Sequence, residues 1–126
     1  MNIFVLLAMF FCHIIDDFCL QTTWLANGKQ RSWWGREAPA PLYRYDYIAA
    51  LVIHSFSWSF MTLLPVAIEQ HFQVGAAFLI VFAVNAVIHG VVDNIKANKL
   101  KINLITDQSI HAVQIIAAFL ILEVLA

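Results

Sequence analysis

Four stretches of about 20 mostly apolar residues run through this chain, at 2–24, 47–68, 72–92 and 107–125. Rising ~1.5 Å per residue, a helix of that length crosses the ~30 Å hydrocarbon core of a bilayer. The chain has 126 residues, 62% of them hydrophobic and 12% charged. A water-soluble domain of that size has too little interior to hide so much apolar surface. Disorder is excluded by ten Phe, four Trp and long aliphatic runs. Seven Lys/Arg against eight Asp/Glu leave a net charge of −1, which excludes a nucleic-acid-binding module. Cys12 and Cys19 share one apolar stretch and make no disulfide scaffold. The expected fold is all-α: a polytopic membrane protein with a single four-transmembrane-helix antiparallel bundle. The first stretch is not read as a cleavable signal peptide, since it lacks a basic start and carries His13, Asp16, Asp17 and Gln21.

Charge orients the bundle. The loop at 27–46 carries Lys29, Arg31, Arg36 and Arg44, and the segment after the third stretch carries Lys96, Lys99 and Lys101. The turn at 69–73 has no Lys or Arg. The positive-inside rule therefore makes the first and third loops cytoplasmic and both termini extracytoplasmic. The first loop contains Asn27-Gly28, Pro39 and Pro41, which resist regular structure. Trp33, Trp34, Tyr43 and Tyr45 in that loop read as anchors at the headgroup level. A sharper reading makes the loop a lid that recognises lipid headgroups.

Ionisable groups inside spans cost roughly 2.5–3.5 kcal/mol each at the helix centre, and so mark function by default. Here they recur at a fixed spacing. His13/Asp17, His89/Asp93 and Asp107/His111 are each four apart, and residues four apart share one face of a helix. Gln21 extends the first pair by a turn, Asn85 precedes the second, and His54 stands alone among serines in the second stretch. All these groups fall in the half of the bundle towards the basic loops. Imidazole with carboxylate is a ligand set for Zn²⁺, Mn²⁺ or Fe²⁺, and pairs on facing helices build two-metal sites. The candidate ligands are His13, Asp17, His54, His89, Asp93, Asp107 and His111, more than one tetrahedral ion needs. Two or more divalent ions, with zinc the first candidate, are expected. Asp16 lies ~100° round the helix from Asp17 and is either a further ligand or a partner of one. Gln21, Asn85, Lys96 and Gln108 are placed to orient ligands or hold substrate. One His alone would be a hydrogen-bonding residue between helices. His71, in the outer turn, lies outside the constellation.

HIIDDFCLQ at 13–21, the isolated His54, NAVIHGVVDNIK at 85–96 and TDQSIH at 106–111 resemble a family of small bacterial and phage membrane proteins, domain of unknown function 3307. The resemblance covers nearly the whole chain and implies four membrane helices in a bacterial inner membrane. The His-x-x-x-Asp spacing is also similar to membrane-bound metal-dependent hydrolases of the YdjM-like type. More distantly, it is similar to the helical zinc phospholipase C and single-strand nuclease superfamily, whose members cleave phosphoesters. Those soluble enzymes also ligate metal through their N-terminal residue, whereas Met1 is expected here at the opposite membrane face.

Three functions follow as expectations. The first is a metal-dependent hydrolase of phosphoesters, with Asp107 or Asp16 accepting the proton and an anionic, phosphate-containing substrate at the cytoplasmic face. The second is ion, proton or metal transport through the same cluster, against which the unbroken apolar run at 74–84 counts. The third is a bis-His haem bundle for electron transfer, which does not call for a carboxylate beside each His. The oligomeric state is not legible.

Overall fold

The computed structural model describes residues 2–125; Met1 and Ala126 lie outside the described residues. The first long helix, α1 (Ile3–Ile15), continues as a π turn over Asp16–Leu20. Two short helices follow, α2 (Thr23–Gly28) and α3 (Arg31–Glu37), then the long α4 (Asp46–Glu69) and α5 (Ala76–Asn94). α5 ends in a second π turn, Ile95–Lys99, and α6 (Leu104–Leu125) closes the fold. No strand occurs among the described residues.

Four segments are long and apolar enough to cross a membrane: Ile3–Leu20, Pro41–Glu69, Ala76–Lys99 and Leu104–Leu125. They form a square in which α1 packs on α4, α4 on α5, α5 on α6 and α6 on α1. Neighbours run antiparallel. The Asn2 side-chain amide, at the start of α1, donates to Glu69 Oε1 at the end of α4 (3.0 Å). Asn2 also caps α1, its Oδ1 accepting from the Phe4 backbone N–H at 3.1 Å. The turn from α4 to α5 is tight enough to put His71 and Phe72 at φ of 50° and 59°.

The bundle has two unlike halves. Towards the α4–α5 turn the interior is an apolar cluster of Val5, Met9, Trp58, Leu63, Val66, Ile115, Ala118, Phe119 and Leu122. Towards the other end the buried groups are His13, Asp16, His54, His89, Asp93, Asp107 and His111. The outer surface is apolar, with Phe4, Phe11, Val52, Phe56, Ile80, Val87 and Val113 all more than half exposed. Polar inside and apolar outside is the reverse of the arrangement that water favours.

The loop at 27–46 departs from the irregular coil expected of it. Thr22 caps α2, its Oγ1 accepting from the Leu25 N–H at 3.2 Å, and Trp34 Nε1 donates to the Gly28 carbonyl at 2.7 Å, folding α3 back on α2. Pro39 and Pro41 fall after α3 has ended, where they cost no helical hydrogen bond. Trp24, Trp33, Trp34 and Tyr43 form a chain of ring contacts on this hairpin, which packs across the start of α4.

Candidate metal centre

Each long helix delivers polar side chains to the same end of the bundle. In α1 and the π turn that continues it they are His13, Asp16 and Asp17; in α4, His54; in α5, His89 and Asp93; in α6, Asp107 and His111. His89 lies at the middle of the group, flat against the Trp58 indole, with ring centroids 4.2 Å apart and planes at 17°. Its other neighbours are the rings of His111 at 4.2 Å and His54 at 5.0 Å.

The separations decide what these groups do. His54 Nε2 lies 3.4 Å from Asp17 Oδ1 and 3.5 Å from Asp93 Oδ2. His111 Nε2 lies 3.4 Å from Asp107 Oδ1 and 3.6 Å from Asp93 Oδ1, and His89 Nε2 is 3.7 Å from Asp93 Oδ2. An N–H···O hydrogen bond is shorter, about 2.7–3.2 Å. Two ligands about 2.1 Å from one tetrahedral ion stand about 3.4 Å apart. The pairs are therefore spaced as co-ligands.

Ring polarity points the same way. Gln114 uses its amide N–H groups on the Asn85 backbone carbonyl and Oδ1, both at 3.1 Å, so its Oε1 faces His111 Nδ1 at 3.3 Å. An acceptor beside Nδ1 favours the tautomer with its proton there, in which the Nε2 lone pair is aimed at two carboxylates. For His54, Asp16 Oδ2 lies 3.6 Å from Nδ1, and Nε2 again faces two carboxylates. Lone pairs and carboxylate oxygens converging in a buried site suit a proton or a metal cation between them. His89 is fully buried, and neither of its ring nitrogens has a hydrogen-bond partner among the described residues. Asp17 Oδ1, Asp107 Oδ1 and His111 Nε2 are likewise buried without hydrogen-bond partners.

Two groups of ligand atoms lie within 4.8 Å of one another: Asp17, His54 and His89, and then His89, Asp93 and His111. His89 is common to both. His13 belongs to neither, because both its nitrogens are engaged. Trp58 Nε1, which can only donate, gives its proton to His13 Nδ1 at 2.8 Å, and His13 Nε2 meets Gln108 Oε1 at 3.0 Å. Asp107 borders the centre through His111. Asp16 turns to α4, where Ser57 Oγ donates to its Oδ1 at 2.5 Å. It does not line the cavity beside the centre, which is bounded by Asp17, Gln21, Lys29, His54, Asp93 and Asp107 among others and has a volume of about 230 Å³.

Gln108 ties three groups together, its amide donating to Asp17 Oδ2 at 3.2 Å and Asp107 Oδ2 at 3.1 Å. Lys96, expected near substrate, donates to Asp107 Oδ2 at 2.7 Å. Gln21 accepts from Lys29 Nζ at 2.8 Å, and Asn85 lies one turn below His89, held by Gln114. His71 is exposed in the far turn.

Trp58, Ser57 and Lys29 belong to the site without having been singled out in the sequence. Trp58 carried a signal, since it stands four residues after His54 on the same helical face. Lys29 carried none. It counts as one more loop cation until α2 turns it inward, where it is buried and donates to Asp93 Oδ2 at 2.5 Å.

Fold and site together define a class: a four-helix bundle with a buried His/Asp centre at one end and an apolar exterior. The chain belongs to the family described as protein of unknown function DUF3307, whose model matches residues 5–126. No curated protein and no solved structure shows a significant match to it.

Proposed function

We propose that this protein is a membrane-embedded, metal-dependent hydrolase acting on phosphoesters. In this reading α1, α4, α5 and α6 span the bacterial inner membrane, with the His/Asp end and the lysines towards the cytoplasm and both termini outside. The observation that carries the reading is the set of His–carboxylate separations of 3.4–3.7 Å around a fully buried His89 whose ring nitrogens lack hydrogen-bond partners among the described residues. Asp17, His54, His89, Asp93 and His111 are the ligands for one or two divalent ions, zinc first and manganese or iron next. A bound ion of this kind supplies Lewis acidity for attack on a phosphoryl group.

The surrounding residues have separate parts. Asp107 lines the cavity; its Oδ1 makes no hydrogen bond and lies 3.4 Å from His111 Nε2, while Lys96 and Gln108 hold its Oδ2, and we assign it as the proton acceptor. Asp16 is a positioning residue that orients His54. Trp58 and Gln108 do the same for His13. The spacing likeness to YdjM-like hydrolases is in keeping with this assignment, as an analogy only.

Two features favour hydrolysis over transport or haem binding. The half of the bundle beyond Trp58 is filled by Leu63, Val66, Phe119 and Leu122, which are apolar and buried, so the cluster faces one side only. The His89 ring touches the rings of His54, His111 and Trp58, with no slot for a macrocycle between them. Metal analysis of purified protein, with a chelator-sensitive screen of phosphomonoesters and phosphodiesters, tests the reading. Asp107→Asn is expected to lower turnover more than metal content. Purified protein that takes up no metal under any loading condition would overturn the proposal.

A further inference from the structure

Two lysines reach the carboxylates of the centre. Lys29 Nζ donates to Asp93 Oδ2 and to Gln21 Oε1, and Lys96 Nζ to Asp107 Oδ2. Asp93 Oδ2 is also the oxygen that faces His54 Nε2 and His89 Nε2. An ion between those groups and the Lys29 ammonium compete for one oxygen. Both lysines line the same cavity, one from the cap that ends α2 and one from the π turn after α5, so the Lys29 ammonium, released from Asp93, stays at the cavity wall.

Charge sets the order of events. The cavity wall holds three carboxylates, Asp17, Asp93 and Asp107, against two ammoniums, so without metal an anion is repelled. Each divalent ion adds two positive charges and turns the cavity cationic. The rim is chemically different from the floor. Its most exposed members are Phe18 of α1 and Leu104 of α6, each more than half exposed, beside Lys96. A polar, cationic floor with an apolar lip fits a phosphate group on an amphiphile.

Building on the hydrolase reading, we infer that Lys29 exchanges roles on metal loading: it leaves Asp93 and, with Lys96 across the same cavity, forms the seat for a phosphate group, with Phe18 and Leu104 against the apolar part of its carrier. Metal and phosphate then bind synergistically, since each favours the same arrangement. Lys29 is held for this by Asn98, whose Nδ2 donates to the Lys29 carbonyl at 2.9 Å while its Oδ1 accepts from the Arg31 N–H at 2.7 Å.

The test is metal affinity by calorimetry on the full chain in nanodiscs, with Mn²⁺ or Zn²⁺, repeated with inorganic phosphate and with phosphatidic acid in place of phosphatidylcholine. Association of metal with each phosphate source in the absence of protein is subtracted. Wild type is expected to bind metal tighter with phosphate present, by roughly 5- to 150-fold, the usual span for linked sites. Lys29→Met is expected to bind metal more tightly on its own, having lost a competitor, and both Lys29→Met and Lys96→Met are expected to lose the enhancement. Lys29→Arg keeps the charge and most of the enhancement, which separates a lost seat from a misfolded protein. A larger effect of phosphatidic acid, removed by Phe18→Ser, assigns a lipid source; equal effects assign a soluble phosphate. Metal that binds with no enhancement by either source, or an enhancement that survives both methionine variants, overturns this inference and leaves the hydrolase reading standing. A protein that binds no metal overturns both.

Discussion

Asp16 and Asp17 are chemically identical neighbours with different fates. Asp17 shares its Oδ1 environment with His54 Nε2, whereas Asp16 meets the opposite nitrogen of the same ring. Removing a carboxylate that orients a ligating imidazole typically lowers metal affinity by about 10–100-fold, and Asp16→Asn is expected to do that with the stoichiometry unchanged. His89→Ala, by contrast, takes away the group common to both ligand sets, and metal analysis should find the centre depleted. His13→Ala separates positioning from ligation. It leaves the Trp58 N–H and the Gln108 carbonyl oxygen without their partner, a cost of about 1–3 kcal/mol in stability. It should retain metal that His89→Ala loses. His71→Ala, at the far end of the bundle, should change neither quantity.

Two of the long helices loosen into π turns where the site is built, Asp16–Leu20 after α1 and Ile95–Lys99 after α5. π geometry is uncommon and concentrates at functional sites. In a regular helix Asp16 and Asp17 would diverge by ~100°; here both lie against the face of α4 that carries His54. Helix spacing matters as much as helix shape. Gly90 of α5 crosses α4 so closely that a Cβ there would stand 2.7 Å from Ser55 Oγ, which is buried and donates to the Leu51 carbonyl. Gly90→Ala is expected to cost about 1–3 kcal/mol by overpacking and to weaken metal binding by parting His54 from His89. Adding Ser55→Ala should recover much of that loss. A thermal melt of the single and double variants in detergent measures the coupling.

For the molecule as a whole, the proposed metal binding would be linked to stability. The polar half of the bundle concentrates Asp16, Asp17, Asp93 and Asp107 in a buried volume, and the unfolded chain has no such site. Metal at about 100 times its Kd should therefore stabilise the fold by about 2.7 kcal/mol, and a chelator should lower Tm by the corresponding amount. Orientation has its own check. Reporter fusions in the 69–73 turn should report the periplasm and a fusion near Gly35 the cytoplasm, because all seven Lys/Arg flank one end of the bundle. A cytoplasmic signal from the 69–73 turn reverses the orientation and moves the centre to the outer leaflet.

The number of long apolar helices, and which residues share a helical face, were legible in the residues alone, because hydrophobic length and four-residue spacing are local properties of a chain; the short helices α2 and α3 were not. His13 and Asp17, His89 and Asp93, and Asp107 and His111 could be paired that way before any fold was known. The order of the helices around the square was not. Nor was the choice of Asp16 as the partner of His54, or the engagement of both His13 nitrogens by Trp58 and Gln108. Lys29 is the plainest case. In sequence it is one of seven cations flanking the apolar stretches; only its place at the cap that ends α2, and the staple that Asn98 makes from the π turn after α5, swing it onto Asp93. Periodicity tells which way a side chain leaves its own helix. What it meets depends on the rotation and depth of three other helices, and those are settled by packing between residues far apart in the chain.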